Sequence, residues 1–150
     1  MAQNRRILAV ASAGGHWTQL MRLRPAFNEC DVAFVSTRPQ GRVTGSERFY
    51  CVPDANKSEK LAMIRMTIAL IAVVLRERPD VVISTGAAPG YIAIRLARMF
   101  GARTIWLDSM ANVERLSLSG KLSLTHVDLC LTQWPHLARP DGPHFSGTVV

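Results

Sequence analysis

Along the chain, short and nearly continuous apolar runs alternate with longer stretches whose apolar residues recur at helical spacing. The short runs are Ile7–Ala11, Asp31–Thr37, Asp80–Thr85, Arg103–Leu107 and Val127–Thr132, and each reads as a strand. Because they lack strict polar alternation, they fit strands covered on both faces of a parallel sheet. Between them, His16–Phe27 places Leu20, Leu23 and Phe27 at helical spacing, with Pro25 ending or bending its last turn. Leu61–Leu75 is apolar almost all round, and Ser58 is its expected cap. A third helix has Pro89 in its first turn and Gly101 as its C-terminal cap. Its expected buried stripe is Ile92, Leu96 and Phe100, with Arg95 and Arg98 together on another face. Arg38–Pro53 reads as a long loop with a short strand at Phe49–Val52, the stretch after Ser109 as irregular or a short helix, and Phe145–Val150 as a closing strand. The alternation predicts an α/β fold: a single Rossmann-like, doubly wound domain with a mostly parallel sheet.

In such a sheet, ligands sit outside the carboxyl ends of the strands. Three predicted strands end in small or polar turns, SAGGH, STGAAPG and LDSMAN, which the topology brings to one edge. Gly14 and Gly15 remove side chains that would keep a ligand off the backbone amides, and the helix opened by His16 presents free N–H groups suited to a phosphate or carboxylate. The helix dipole there favours a neutral imidazole, so His16 is a candidate base. Asp108 is a second candidate for base or orienting group and Glu114 a third, while Ser12, Ser109 and Asn112 are neutral partners for sugar hydroxyls or phosphate oxygens. The glycine spacing matches neither a dinucleotide fingerprint nor a P-loop, which disfavours a nicotinamide enzyme and a nucleotide triphosphatase. His126, His136 and His144 show no partner spacing and read as structural or surface residues; no metal site is suggested.

Charge alters this picture more than the rest of the composition. Eighteen Lys and Arg against eleven Asp and Glu give a net +7, which points to an anionic partner, and fifteen of the eighteen are Arg, the side chain suited to planar bonding of phosphate or carboxylate. A nucleic-acid module would explain the charge, yet the chain shows no helix-turn-helix, aromatic stacking surface or basic run. With 150 residues, 48% of them apolar, one self-folding domain is expected. Cys30, Cys51 and Cys130 have neither zinc nor disulfide spacing and read as reduced cysteines in a cytosolic setting. The apolar run after Arg5 and Arg6 is too short for a signal peptide. Leu61–Leu75 reaches roughly 22 Å at ~1.5 Å per residue, short of the ~30 Å hydrocarbon core, and Arg65 interrupts it. It reads as a helix buried on the sheet or one that also presses an apolar face onto an anionic membrane, flanked by Lys57, Lys60, Arg65, Arg76 and Arg78.

Five motifs in order, SAGGHWTQL, VISTGAAPG, WLDSMANVERLSLSGKL, LTQWP and HFSGTVV, resemble those of the family that contains the Alg14 subunit of eukaryotic N-glycan assembly and its bacterial exopolysaccharide counterparts. Within it the chain is similar to the glucuronosyltransferase components of gellan-type (sphingan) exopolysaccharide assembly. The resemblance implies the N-terminal, acceptor half of a GT-B glycosyltransferase, peripheral on the cytoplasmic membrane. It implies a polyprenyl-diphosphate-linked sugar as acceptor, a UDP-sugar donor held mainly by a companion Alg13-like subunit, and no cofactor. It makes His16 the base, with Ser12, Gly14 and Gly15 facing the acceptor diphosphate and Gly86, Ala87, Ala88, Pro89 and Gly90 lining the same cleft. A noncatalytic scaffold recruiting a donor-binding subunit to the membrane is the competing expectation.

Overall fold

The computed structural model describes residues 4–39 and 47–149. Its elements run β1 (Arg6–Ala11), α1 (Gly15–Arg22), β2 (Asp31–Ser36), β3 (Arg48–Cys51), α2 (Lys60–Glu77), β4 (Val81–Gly86), α3 (Ala87–Met99), β5 (Arg103–Leu107), α4 (Leu118–Ser123), β6 (Leu129–Thr132) and β7 (His144–Phe145). Residues 40–46 of the predicted loop lie outside the described residues. The strands form one seven-stranded parallel sheet in the order β3-β2-β1-β4-β5-β6-β7.

Strand periodicity sorts β1 between two cores. Leu8 and Val10 pack on one side with Met66, Leu70, Val74, Ile94 and Trp106. Ala9 and Ala11 pack on the other with Leu20, Phe27 and Phe34. Helices thus cover both faces, the doubly wound arrangement that the apolar runs predict. Chain order reverses between β1 and β4, and there the register shifts, with Ala11 coming opposite Gly86. Such a reversal opens a crevice at the carboxyl edge of the sheet.

Three local expectations need correction. Glu59, not Ser58, precedes the first turn of α2, and its side chain makes no capping bond. Helix α1 stops at Arg22, and Pro25 sits in a separate 3-10 turn, Arg24–Phe27, where its missing N–H costs nothing. On α3 the buried face is Gly90, Ala93, Ile94 and Ala97, while Phe100 is 62% exposed. The reason is close approach: a Cβ on Gly90 would lie 1.8 Å from Ser84 Oγ on the neighbouring strand. No side chain fits at Gly90, so size misdirects the choice of buried stripe.

Candidate active site

At the crevice, the β1–α1 and β4–α3 turns lock onto each other. His16 Nδ1 lies 3.0 Å from the Thr85 carbonyl oxygen, and Thr85 Oγ1 donates back to the His16 carbonyl at 2.6 Å. Gly14, at φ 83, sets the entry to α1, and the Ala13 N–H donates to Thr37 Oγ1 at 3.2 Å. Gly86 adopts φ 145 and Ala87 φ 68, conformations that side chains disfavour. A strained alanine at the first position of a helix belongs to a turn whose shape is fixed by its surroundings.

A cavity of about 380 Å³ opens between these turns, lined by Ser12, Ala13, Gly14, Thr37, Arg38, Asp54, Ala55, Asn56, Ala87, Ala88 and Pro89. Gly14, which caps α1, and the first turn of α3 line it, so the start of each helix lies at the cavity, the end where backbone N–H groups are left free of intrahelical bonds. Arg38 adds a cation and Asp54 a carboxylate at the rim. Five of the predicted ligand-facing residues, Ser12, Gly14, Ala87, Ala88 and Pro89, come together here. Gly90 does not: it is buried under Ser84. Gly15 is exposed, with open space where a Cβ would stand, and Gly86 faces the His16 ring.

Asp108 has a different setting. Its carboxylate is 1% exposed and accepts four hydrogen bonds: Trp106 Nε1 (3.0 Å) and Ser117 Oγ (2.6 Å) at Oδ1, Asn112 Nδ2 (3.1 Å) and the Ser117 N–H (2.9 Å) at Oδ2. All its oxygen capacity is directed into the β5–α4 loop, so Asp108 organises that loop, and no substrate hydroxyl reaches it in this arrangement. Ser109 is likewise buried, its Oγ accepting from Gln19 Nε2 at 3.0 Å and the Ala111 N–H at 3.2 Å. Asn112 and Glu114 line a separate shallow cavity of about 370 Å³ that shares no residue with the first. Below, burial and the Asp108 charge push the Cys130 thiol up to about 12, so it stays protonated.

Sequence reasoning passed over the residues that tie this edge together. Gln133, fully buried, donates to Gln19 Oε1 (2.6 Å) and the Asp108 carbonyl (3.0 Å) and accepts from the Val149 N–H (2.8 Å). Gln19 Oε1 also accepts from the Met110 N–H, and Trp134 Nε1 donates to the Met110 carbonyl. A glutamine directly after a buried strand was the available signal. Thr85 gave none, because its decisive group is a backbone carbonyl. Among the described residues no group of His, Cys, Asp or Glu is placed to hold a metal ion.

Seven parallel strands with helices on both faces make a Rossmann-like α/β domain, a fold this chain shares with much larger proteins. MurG of Acinetobacter baumannii superimposes with a TM-score of 0.74 at 12% identity, over 96% of this chain and 45% of that one. UDP-N-acetylglucosamine 2-epimerase of Rickettsia bellii shares the fold at 0.68 and 12%, over 89% and 40%. The chain thus spans less than half the length of either structure. The family described as oligosaccharide biosynthesis protein Alg14 like matches residues 47–148, and the chain belongs to it. A relative in Yarrowia lipolytica, named UDP-N-acetylglucosamine transferase subunit ALG14, is 24% identical over 90% of this chain and 76% of its own length. One of the same name in Schizosaccharomyces pombe is 37% identical over 40% of this chain and 31% of its own.

Proposed function

We propose that this chain is the acceptor- and membrane-side subunit of a GT-B glycosyltransferase that moves glucuronic acid from UDP-glucuronate to a lipid-diphosphate-linked glucose in exopolysaccharide assembly, the donor being held mainly by an Alg13-like companion. The observation that carries this reading is the cavity at the switch point, lined by Gly14 before α1 and by the first turn of α3, in the same pair of turns whose Thr85 carbonyl holds His16. Free N–H groups, Arg38 and small side chains at Gly14, Ala87 and Ala88 suit an acceptor diphosphate. His16 takes the proton of the acceptor hydroxyl as the oxygen forms its bond to C1 of the glucuronate. The bond from C1 to the diphosphate oxygen breaks, UDP leaves with the electron pair, and configuration at C1 inverts.

Helix α2 supplies the membrane face of this reading. At ~100° per residue, Leu61, Ile64, Ile68 and Leu75 fall within about 60° of arc, opposite the buried Met66, Leu70, Val73 and Val74. Leu61, Ile64, Ile68 and Leu75 are 50–62% exposed, and Lys60, Arg65 and Arg76 flank the stripe, the composition of a helix lying on an anionic leaflet. No helix among the described residues is long and apolar enough to cross a membrane.

A noncatalytic scaffold is the second reading, favoured by one observation: Asp108 is enclosed and His16 is not among the residues that line the cavity. Transfer of radiolabelled sugar to glucosyl-diphospho-polyprenol in vesicles separates the readings, with the chain alone, with its companion, and with His16→Gln. UDP-glucuronate and UDP-N-acetylglucosamine are compared as donors, because the named relatives belong to a transferase of the latter. Glucuronate transfer that needs both chains and falls about 10²- to 10⁴-fold in His16→Gln is the expected result. An unchanged rate in that variant overturns catalysis by this chain, and transfer of N-acetylglucosamine alone overturns the donor.

A further inference from the structure

We propose that the Thr85–Gly86 turn is a positioning device that holds His16 in a single ring tautomer, Nδ1 protonated and Nε2 bearing the lone pair, using backbone groups where a carboxylate could have served. The inference rests on His16 acting as the base. A carbonyl oxygen only accepts, so the 3.0 Å contact from Thr85 O requires a proton on Nδ1. Nε2 is then the acceptor of the neutral ring, and no hydrogen bond from a described residue falls on it. The second bond, Thr85 Oγ1 to the His16 carbonyl at 2.6 Å, fixes the backbone that carries the ring, so one residue grips His16 at both ends.

Gly86 provides the space. A Cβ there would stand 2.3 Å from Nδ1 and 2.5 Å from Cε1, so any side chain drives the ring off the Thr85 carbonyl. The turn cannot yield instead. The Gly86 N–H donates to Ser84 Oγ at 3.1 Å, that hydroxyl sits where a Gly90 Cβ would be, and Ala87 is already at positive φ. Gly86 and Gly90 therefore serve the histidine, directly and through Ser84, rather than the ligand. Asp108, the carboxylate at the end of β5, has no capacity left for the ring. A carbonyl orients an imidazole without placing a negative charge beside it, which separates this site from a histidine–carboxylate pair.

Ring-nitrogen NMR on the whole chain with 15N-labelled histidine tests this, recorded where the ring is neutral and assigned by the signal lost in His16→Gln. The expected spectrum shows His16 with a protonated Nδ1 and an unprotonated Nε2. Thr85→Ser keeps that signature and the transfer rate. Thr85→Val shifts it toward mixed tautomers and slows transfer about tenfold, and Gly86→Ala shifts it further with a loss on the order of 100-fold. A protonated Nε2 in the parent chain, or His16 signals unmoved in Thr85→Val and Gly86→Ala, overturns the proposal. If Gly86→Ala fails to fold, the Thr85 pair and the parent spectrum still decide. Transfer retained in His16→Gln beside the expected spectrum removes the base but leaves the positioning intact, so the two failures are distinguishable.

Discussion

The turn that follows β1 and the loop that follows β5 read alike in sequence, each being a small polar segment at a strand end with a titratable side chain. In the fold they part company. His16 spends one ring nitrogen on Thr85 and keeps the other. Asp108 spends both oxygens on Trp106, Asn112 and Ser117 and is 1% exposed. A strand-end acid or base is thus a candidate for chemistry only after its hydrogen-bonding capacity has been counted.

The sharpest break in that comparison comes from Asp108→Ala. It strands the fully buried Trp106 N–H and the Ser117 N–H, and we expect a loss of about 3 kcal/mol or more in urea unfolding. Asp108→Asn, which keeps one acceptor, loses less, and its transfer per folded molecule stays close to the parent value. Normal stability in Asp108→Asn with transfer abolished would show that the carboxylate acts on substrate and that the two loops are alike after all.

The order of strands and helices was legible because parallel strands buried on both faces leave uninterrupted apolar runs, and because Pro25, Pro89 and Gly101 punctuate the helices. The convergence of the three strand ends followed from topology. What escaped were relations set by distant parts of the chain. Gln19 meets Gln133 across 114 positions, Asp108 meets Ser117 only because the intervening loop folds back, and the small face of α3 is chosen by Ser84. The family resemblance came from five short motifs, and a motif holds its residues whether they touch substrate or one another: Gly14 lines the cavity while Gly90 packs a seam.

The same counting applies at the far edge of the fold, where Glu77 at the end of α2 accepts from Arg48 Nη2 at 2.7 Å, from Arg48 Nε and from the Tyr50 hydroxyl. Burial alone pushes this carboxyl up, but the bonds from Arg48 and Tyr50 outweigh it and hold it below the usual range. Unfolded, the group titrates near 4.3, and folded it titrates lower. Its contribution is therefore complete above that value and is lost as pH falls through the folded pKa. Glu77→Gln should cost about 1–2 kcal/mol at pH 7 and flatten the acid limb of a stability–pH curve, with transfer unchanged. An acid limb as steep as the parent's would mean that this carboxylate, despite its three bonds, does not anchor β3 to α2.

Helix α2 carries the comparison to its smallest effect on folding, because one apolar composition serves two faces. Met66 and Leu70 have no exposed surface, whereas Ile64 and Ile68 are 55% and 61% exposed, so replacing the latter removes little buried area. Ile64→Gln with Ile68→Gln should leave unfolding within about 0.5 kcal/mol of the parent and lower its cosedimentation with vesicles rich in anionic lipid. Arg65→Gln with Arg76→Gln should weaken the same binding and its salt dependence, since both cations flank the stripe. Apolar contact and charge act together on a leaflet, so both pairs must matter. If only the arginine pair weakens binding, the chain meets the membrane by charge alone, and the isoleucine stripe is left for a protein partner.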